Sequence, residues 1–282
     1  MKRFISALIL VASVAGPALG ADIVHDAEFV RMEKQFGEQW KADDARVRDK
    51  LATLEKRLGK KPNIVYILAD DVGYTELGSY GGGKVRGAPT PNLDKLAREG
   101  MRFLSFYSEV ECSPSRGAVM TGRHPIRNGL YNITLPGEVG SGLHDEEVTI
   151  AEVLDNAGYY TGFFGKWHMG GEEEHYPTNQ GFDEAEWSEG NPPWWVNNKD
   201  AKATDDIGGF TNRALIYSPG PENFPYDTGG VMRAKKGEEP ELVYEYSMEK
   251  YNTYDSEVAD NVIDFIKRRA KTEQPFYVAQ SF

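Results

Sequence analysis

Two adjacent carboxylates, Asp70 and Asp71, stand directly after a nearly continuous apolar run over residues 63–69. Neighbouring carboxylates repel each other unless a cation neutralises them, and their oxygens are ligands that hard divalent ions prefer. The pair therefore predicts a divalent-cation site at the end of a strand. On these residues alone, a turn in which the aspartates act as capping residues before Gly73 is the alternative.

A second candidate group lies in the run Cys112-Ser113-Pro114-Ser115-Arg116. Pro114 suits the first turn of a helix and Ser113 its cap, which would place Cys112 at a helix N-terminus, where the dipole stabilises negative charge. Arg116 follows one turn later on the same side. The run indicates an anion pocket beside a reactive side chain. Because Cys112 is the only cysteine, it has no intrachain disulfide partner, and a small buried hydrophobe is the alternative.

Lys166 and His168 follow a third apolar run, over residues 160–164. If the chain stays extended there, both side chains project to one side and offer a point charge and a group that titrates near neutral pH. A solvated pair at a strand end is the alternative. No comparable context surrounds the other histidines, which we expect to be structural or solvated: His25, His124, His144 and His175.

Several common signatures of other functions fail on this sequence. The stretch over residues 78–84 has the glycine and lysine spacing of a phosphate-binding loop, but Val85 stands where a Ser or Thr must hold magnesium. The chain also lacks the Gly-x-Ser-x-Gly elbow and the His-Glu-x-x-His zinc motif. Its net charge of −12 argues against a nucleic-acid-binding surface.

The elements that position these groups alternate between strands and helices. The run over residues 63–69 predicts a central strand covered on both faces. Residues 172–240, rich in Gly, Pro, Asn and Trp, predict long loops. Further strands are predicted over residues 101–107, 160–164 and 275–282, and helices over residues 92–99, after Cys112, and over residues 148–156 and 256–269. Such alternation predicts an α/β fold with a largely parallel sheet, in which ligands bind at the carboxyl ends of the strands.

The N-terminal part divides into two predicted segments. Residues 1–20 predict an export signal, because Lys2 and Arg3 precede a short apolar stretch and small residues. We expect a periplasmic or secreted protein without a stable membrane anchor, since the stretch is shorter than the roughly 20 residues a spanning helix needs. Residues 21–61 predict an amphipathic helical extension, which either packs on the surface or forms a coiled coil. The oligomeric state stays open.

Taken in order, the three motifs resemble the sulfatase family. The resemblance covers residues 61–282 and rests on Asp70-Asp71, on Cys-x-Pro-Ser-Arg beginning at Cys112, and on Gly-Lys-Trp-His over residues 165–168. Two shorter runs support it: Pro91-Asn92-Leu93-Asp94 and Gly181-Phe182-Asp183.

The resemblance implies an alkaline-phosphatase-like α/β fold, a calcium ion in the site, and conversion of Cys112 to formylglycine by a maturation enzyme. It implies that modified Cys112 is the nucleophile and a metal ligand, and that Arg116 holds it. The remaining implied roles are metal ligation by Asp70 and Asp71, and contacts of Lys166 and His168 with the sulfate and the aldehyde hydrate.

The implied activity is arylsulfatase-like hydrolysis of a sulfate monoester, either a small molecule or a carbohydrate. A phosphonate monoester or phosphodiester hydrolase of the same superfamily is one alternative, and an inactive exported fragment or binding module is another. Family members normally add a second His, an Asp-Asn pair and a second Lys, none of which we can place in this chain. The predicted strand over residues 275–282 ends without a turn. We therefore expect residues 62–282 to be an incomplete catalytic domain that is a poor enzyme alone.

Overall fold

The computed structural model describes residues 27–83, 89–134, 140–190, 230–245 and 248–282. The predicted export signal lies outside these residues, as does most of the predicted loop region, from residue 191 to residue 229. In the described part of the chain, no helix combines the length and the apolar composition needed to cross a membrane. The chain divides into two units, Met1–Arg57 and Leu58–Phe282.

Helix α1 (Ala27–Leu58) accounts for the described residues of the first unit. Its charged side chains pair along the surface, with Lys41 Nζ 2.8 Å from Glu38 Oε1 and Arg46 Nη2 2.8 Å from Asp43 Oδ1. Such i,i+3 pairs support an exposed helix. The prediction of a helix in this segment is confirmed, whereas its use in oligomerisation stays a prediction.

The second unit is built on a six-stranded sheet whose strands lie in the order β1-β6-β2-β3-β4-β5. Strands β1, β6, β2 and β3 run parallel, and β4 and β5 add an antiparallel edge. The predicted α/β fold with a mostly parallel sheet is confirmed. The strands are β1 (Ile64–Leu68), β2 (Tyr160–Lys166), β3 (Glu184–Ser188), β4 (Gly230–Lys235), β5 (Glu241–Glu245) and β6 (Phe276–Ser281).

Helices cover both faces of the sheet. The described helices of this unit are α2 (Pro91–Glu99), α3 (Cys112–Thr121), α4 (Pro125–Asn128), α5 (Ile150–Asn156) and α6 (Met248–Arg269). Successive residues of β2 point to opposite faces, so Phe163 joins a core with Met120 of α3, and Phe164 joins a second core with Phe265 of α6. Strand β2 is thereby fixed from both sides.

The prediction that the first strand is central and covered on both faces is wrong. Strand β1 lies at one edge of the described sheet and pairs with β6. Ile64 and Tyr66 pack against the core, but Val65 and Ile67 point the other way and are 47% and 55% exposed. The cause is helix placement, because α6 packs over β2 and β6.

Two further predictions also failed. Residues 101–107 form no strand, and several of their apolar side chains are exposed, which shows that β-forming composition needs a neighbouring strand to pair with. The predicted loop region contains β3 and β4. Strand β3 was not predicted because it contains glutamates. Glu184 and Glu186 are buried with arginine partners: Arg268 lies 2.7 Å from Glu184, and Arg233 lies 2.6 Å from Glu186.

The close approach of β2 to β6 gives a test of this fold. Gly165 has φ of +110°, and a Cβ there would lie 1.8 Å from the carbonyl oxygen of Ser281. We expect Gly165→Ala to lower the free energy of unfolding by about 3 kcal/mol or more, since backbone must move. The control is Gly158→Ala, where φ is +88° but the space is open, so only about 1–2 kcal/mol is expected. Equal losses in urea unfolding would contradict the strand register.

Candidate active site

The carboxyl ends of three neighbouring strands, β1, β6 and β2, gather the predicted chemical groups. Asp70 comes two residues after β1, Lys166 ends β2 and Ser281 ends β6. Cys112 faces them from the first residue of α3. This is the edge at which parallel α/β sheets bind ligands. The motifs, far apart in sequence, therefore meet in one place.

The Asp70 carboxylate is the centre of the cluster. Its Oδ2 lies 2.5 Å from Lys166 Nζ, and its Oδ1 lies 3.6 Å from Arg116 Nη2 and 3.5 Å from Cys112 Sγ. Burial raises the pKa of Asp70, but the hydrogen bond from Lys166 and the charges of Arg116 and Lys166 outweigh burial and hold that pKa below its usual value. Asp70 is thus a carboxylate compensated by two cations.

Arg116 is the most heavily engaged of these side chains. Its side chain is 3% exposed. Nη1 donates to the carbonyl oxygen of Lys166 at 2.5 Å and to Ser281 Oγ, and Nη2 donates to the carbonyl oxygen of Phe282 at 3.3 Å. Its guanidinium therefore joins the ends of β2 and β6 to Asp70. A planar fork of five donors suits this bridging role.

Cys112 begins α3, with Glu111 at the cap position. The prediction that Ser113 caps the helix is wrong, because Ser113 Oγ instead accepts a hydrogen bond from the backbone N–H of Thr134 at 3.1 Å. Cys112 Sγ lies 3.4 Å from Lys166 Nζ. Burial, aided by the charge of Asp70, raises the pKa of the thiol in spite of nearby Lys166. At neutral pH Cys112 is therefore a thiol rather than a reactive thiolate.

Asp71 and His168 share an unusual backbone conformation. With φ of +53° and +56°, they are the non-glycine residues of positive φ in the described chain. Such conformations are sparsely populated and concentrate at functional sites. The condition under which Lys166 and His168 would project to one side, an extended chain through His168, is not met, because β2 ends at Lys166 and the backbone then turns.

His168 is held as a neutral, buried imidazole. Its Nε2 lies 3.1 Å from the carbonyl oxygen of Thr134, which can only accept, so Nε2 carries the proton. Its Nδ1 is buried and has no hydrogen-bond partner in the described chain. Burial first, then the charges of Lys166 and Arg116, lower the pKa of His168 to about 3. The free lone pair of Nδ1 is thus available to a donor.

The residues present fit a cation. One ligand atom each from Asp70, Asp71 and Cys112 lie within 4.8 Å of one another. Two carboxylates are hard ligands suited to calcium or magnesium, whereas a thiol sulfur is a soft one. The donor set becomes uniformly hard only if an oxygen replaces the sulfur of residue 112.

The geometry brings together Asp70, Cys112, Arg116 and Lys166 as a contact cluster, with Asp71 at its exposed side and His168 within electrostatic reach. Sequence reasoning missed Thr134 and Ser281. Thr134 orients His168 through a backbone carbonyl, which carries no residue-type signal, and Ser281 is one serine among many until β6 places it beside Arg116.

Comparison with known proteins finds relatives that are named sulfatases. N-acetylgalactosamine-6-sulfatase of Canis lupus familiaris is 37% identical over 227 residues, which are 77% of this chain and 38% of that protein. Arylsulfatase A of Homo sapiens is 51% identical over 128 residues, which are 44% of this chain and 25% of that protein. The chain thus spans about two fifths, or less, of the length of these relatives.

The fold has a solved counterpart. The crystal structure of PsFucS1 sulfatase from Pseudoalteromonas sp. superposes with a TM-score of 0.70 at 33% sequence identity, over 83% of this chain and 46% of that chain. The Sulfatase family model matches residues 62–282, which contain every residue of the cluster. The chain belongs to the sulfatase family.

Proposed function

We propose that the protein hydrolyses sulfate monoesters, with a carbohydrate sulfate as the substrate class, using formylglycine made from Cys112 and a bound calcium ion. Membership of the sulfatase family supports the reaction class. The name of one relative, N-acetylgalactosamine-6-sulfatase, points to a sulfated sugar. The chain spans a minor part of the relatives' length. We therefore propose this activity for a protein that also has the other segments such an enzyme needs, and not for residues 1–282 alone.

The observation that carries the proposal is the pair of buried cations beside residue 112. Lys166 and Arg116 are buried and face the half-buried carboxylate of Asp70, with the exposed carboxylate of Asp71 nearby. Lys166 Nζ is also 3.4 Å from Cys112 Sγ. With a divalent cation held by Asp70 and Asp71, the two buried cationic side chains would lack carboxylate partners and would favour an anion there, where they would stabilise charge that grows on sulfate oxygens during transfer.

The state of Cys112 supports its modification. Burial and Asp70 raise the pKa of its thiol, so unmodified Cys112 is a weak nucleophile at neutral pH. Conversion to formylglycine is an oxidation, whose oxidant the maturation enzyme must supply, and it replaces the thiol sulfur by an aldehyde oxygen. The aldehyde hydrate supplies two hydroxyl groups. The oxygen of one can bond to the sulfur of the sulfate ester as the alcohol leaves, and the other can then expel sulfate as the aldehyde reforms.

The replacement of sulfur by oxygen at residue 112 also favours a cation site. Asp70 and Asp71 would hold calcium together with an oxygen of modified residue 112, which makes all three of these ligands hard. Bound calcium would supply Lewis-acid stabilisation of negative charge on oxygen. Lys166 neutralises Asp70 when the cation is absent, and its ammonium would turn toward the sulfate when the cation takes over that charge.

The remaining polar groups position these reactants. Arg116 fixes Asp70 against the strand ends, so it acts on the site through that carboxylate. His168 offers the lone pair of Nδ1 to a hydroxyl group of modified residue 112, whose proton it can accept. Its lowered pKa keeps it neutral at physiological pH, so it accepts a hydrogen bond rather than adding a positive charge.

The reaction class is tested with a matched panel of aryl sulfate, aryl phosphonate monoester and aryl phosphodiester. Protein matured with a formylglycine-generating enzyme should cleave the sulfate with the highest kcat/KM. Cys112→Ala should lose at least about a thousandfold, since it removes the nucleophile. Ser115→Ala, on the same helix but outside the cluster, is the control and should retain activity. Preference for either phosphorus ester would overturn the sulfate assignment.

The calcium site is tested with two aspartate variants in the matured protein. Asp71→Asn should lower calcium affinity about tenfold or more without lowering the melting temperature in chelator, because Asn tolerates positive φ and Asp71 is exposed. Asp70→Asn should lower both, since it leaves two buried cations without their carboxylate, a loss of about 3–5 kcal/mol. Calorimetric titration and thermal unfolding separate the two effects. Calcium binding unchanged in both variants would exclude these ligands.

A further inference from the structure

A second cluster of ligand-type side chains lies outside the Asp70 site, on the segment that follows His168. We call Glu172, Glu174 and His175 the Glu-His cluster. One ligand atom from each lies within 4.8 Å of the others. Glu174 is exposed, Glu172 is half-buried and His175 is 3% exposed. Acidic groups on a surface are common without a cation, so the case for a bound cation depends on the buried imidazole.

The imidazole of His175 presents an unused lone pair to the two carboxylates. Its Nδ1 lies 2.9 Å from the carbonyl oxygen of Leu143, which can only accept, so Nδ1 carries the proton. Its Nε2 is buried and has no hydrogen-bond partner among the described residues. An unpaired buried acceptor is costly, and this one points at acceptors that cannot satisfy it. A cation satisfies all of them.

The spacing of the ligand atoms fits a small metal ion better than a hydrogen bond. His175 Nε2 lies 3.7 Å from Glu172 Oε2, which is too long for a hydrogen bond. Two ligands on a tetrahedral ion at about 2.0–2.1 Å stand about 3.4 Å apart. Small side-chain movements would therefore bring the ligand atoms to the spacing that an ion requires.

The surroundings hold these ligands in place. The backbone N–H of Gly140 donates to Glu172 Oε2 at 2.8 Å. A Cβ at Gly142 or Gly170 would lie 2.3 or 2.5 Å from His175 Cδ2, so two glycines make room for the ring and restrict its rotation. Ligands of metal sites are commonly oriented by such outer hydrogen bonds, including one from the second histidine nitrogen to a backbone carbonyl.

We propose that the Glu-His cluster is a second divalent-metal site and that its ion is zinc. Zinc accepts imidazole nitrogen and carboxylate oxygen as ligands and often keeps water in a fourth position, whereas calcium prefers six or more oxygens. The cluster braces the active-site segment, because Trp167 Nε1 donates to the carbonyl oxygen of His175 at 2.7 Å and Trp167 adjoins Lys166. The inference does not depend on the proposed sulfatase activity.

The test measures zinc affinity by competition with a chromophoric chelator. All variants carry Cys112→Ser, so that no thiol binds zinc, and millimolar calcium is present to fill the Asp70 site. The parent should bind one zinc ion per chain. Glu174→Gln, which changes an exposed ligand and spares the buried ring, should weaken zinc binding about tenfold or more. Glu173→Gln is the matched control, since Glu173 lies on the same turn, is exposed and is outside the cluster.

Two further readings make the outcome decisive. Cobalt substituted for zinc should give the intense visible absorption of a four-coordinate site, and Glu174→Gln should remove it. Zinc should also raise the melting temperature of the parent and of Glu173→Gln by mass action. The proposal is overturned if the parent binds no zinc, or if Glu173→Gln and Glu174→Gln bind it equally.

Discussion

The structure of the site depends on one buried guanidinium. Arg116 contacts Asp70, the end of β2 and the end of β6, which lie up to 166 residues from it along the chain. A buried charge must be paired, and breaking such a pair costs about 3–5 kcal/mol. The requirement to pair Arg116 therefore fixes the strand ends relative to helix α3. That constraint brings Cys112 within reach of Lys166.

Electrostatic balance then explains the division of labour in the cluster. The hydrogen bond from Lys166 and the charges of Lys166 and Arg116 outweigh burial and hold the pKa of Asp70 below its usual value, so the centre of the cluster is an ionised carboxylate. The same field and burial keep His168 neutral, with its pKa lowered to about 3. Cys112 is held as a thiol by burial and by Asp70. A site that suppresses both the thiolate and the imidazolium suits a different nucleophile at residue 112.

The sequence predicted the groups of this site better than their geometry. Carboxylates after a strand and a cysteine at a helix start have local signals, so Asp70 and Cys112 could be found without a structure. The left-handed backbone of His168 and its bond to Thr134 could not, because tertiary packing determines both. His175 illustrates the same limit, since nothing beside it in sequence indicates the glycines that enclose its ring.

The sheet was predictable to a similar degree. Continuous apolar runs predicted β2 and β6, which are buried on both faces. The same kind of run led to the wrong position for β1, because periodicity does not report which strands a helix covers. Strand β3 was missed because its glutamates are buried only with Arg233 and Arg268, both distant in sequence. Patterns within one element are local, whereas edge positions and ion pairs are set by the whole fold.

The central claim is that modified residue 112 is the nucleophile that takes sulfate from its ester. A serine at this position has one hydroxyl and no second oxygen from which to expel sulfate. Mass spectrometry of Cys112→Ser after incubation with an aryl sulfate tests the claim most directly. The account predicts one released phenol per chain and a sulfate ester on residue 112 that persists. A sulfate-free serine in protein whose matured parent hydrolyses the same ester would contradict it.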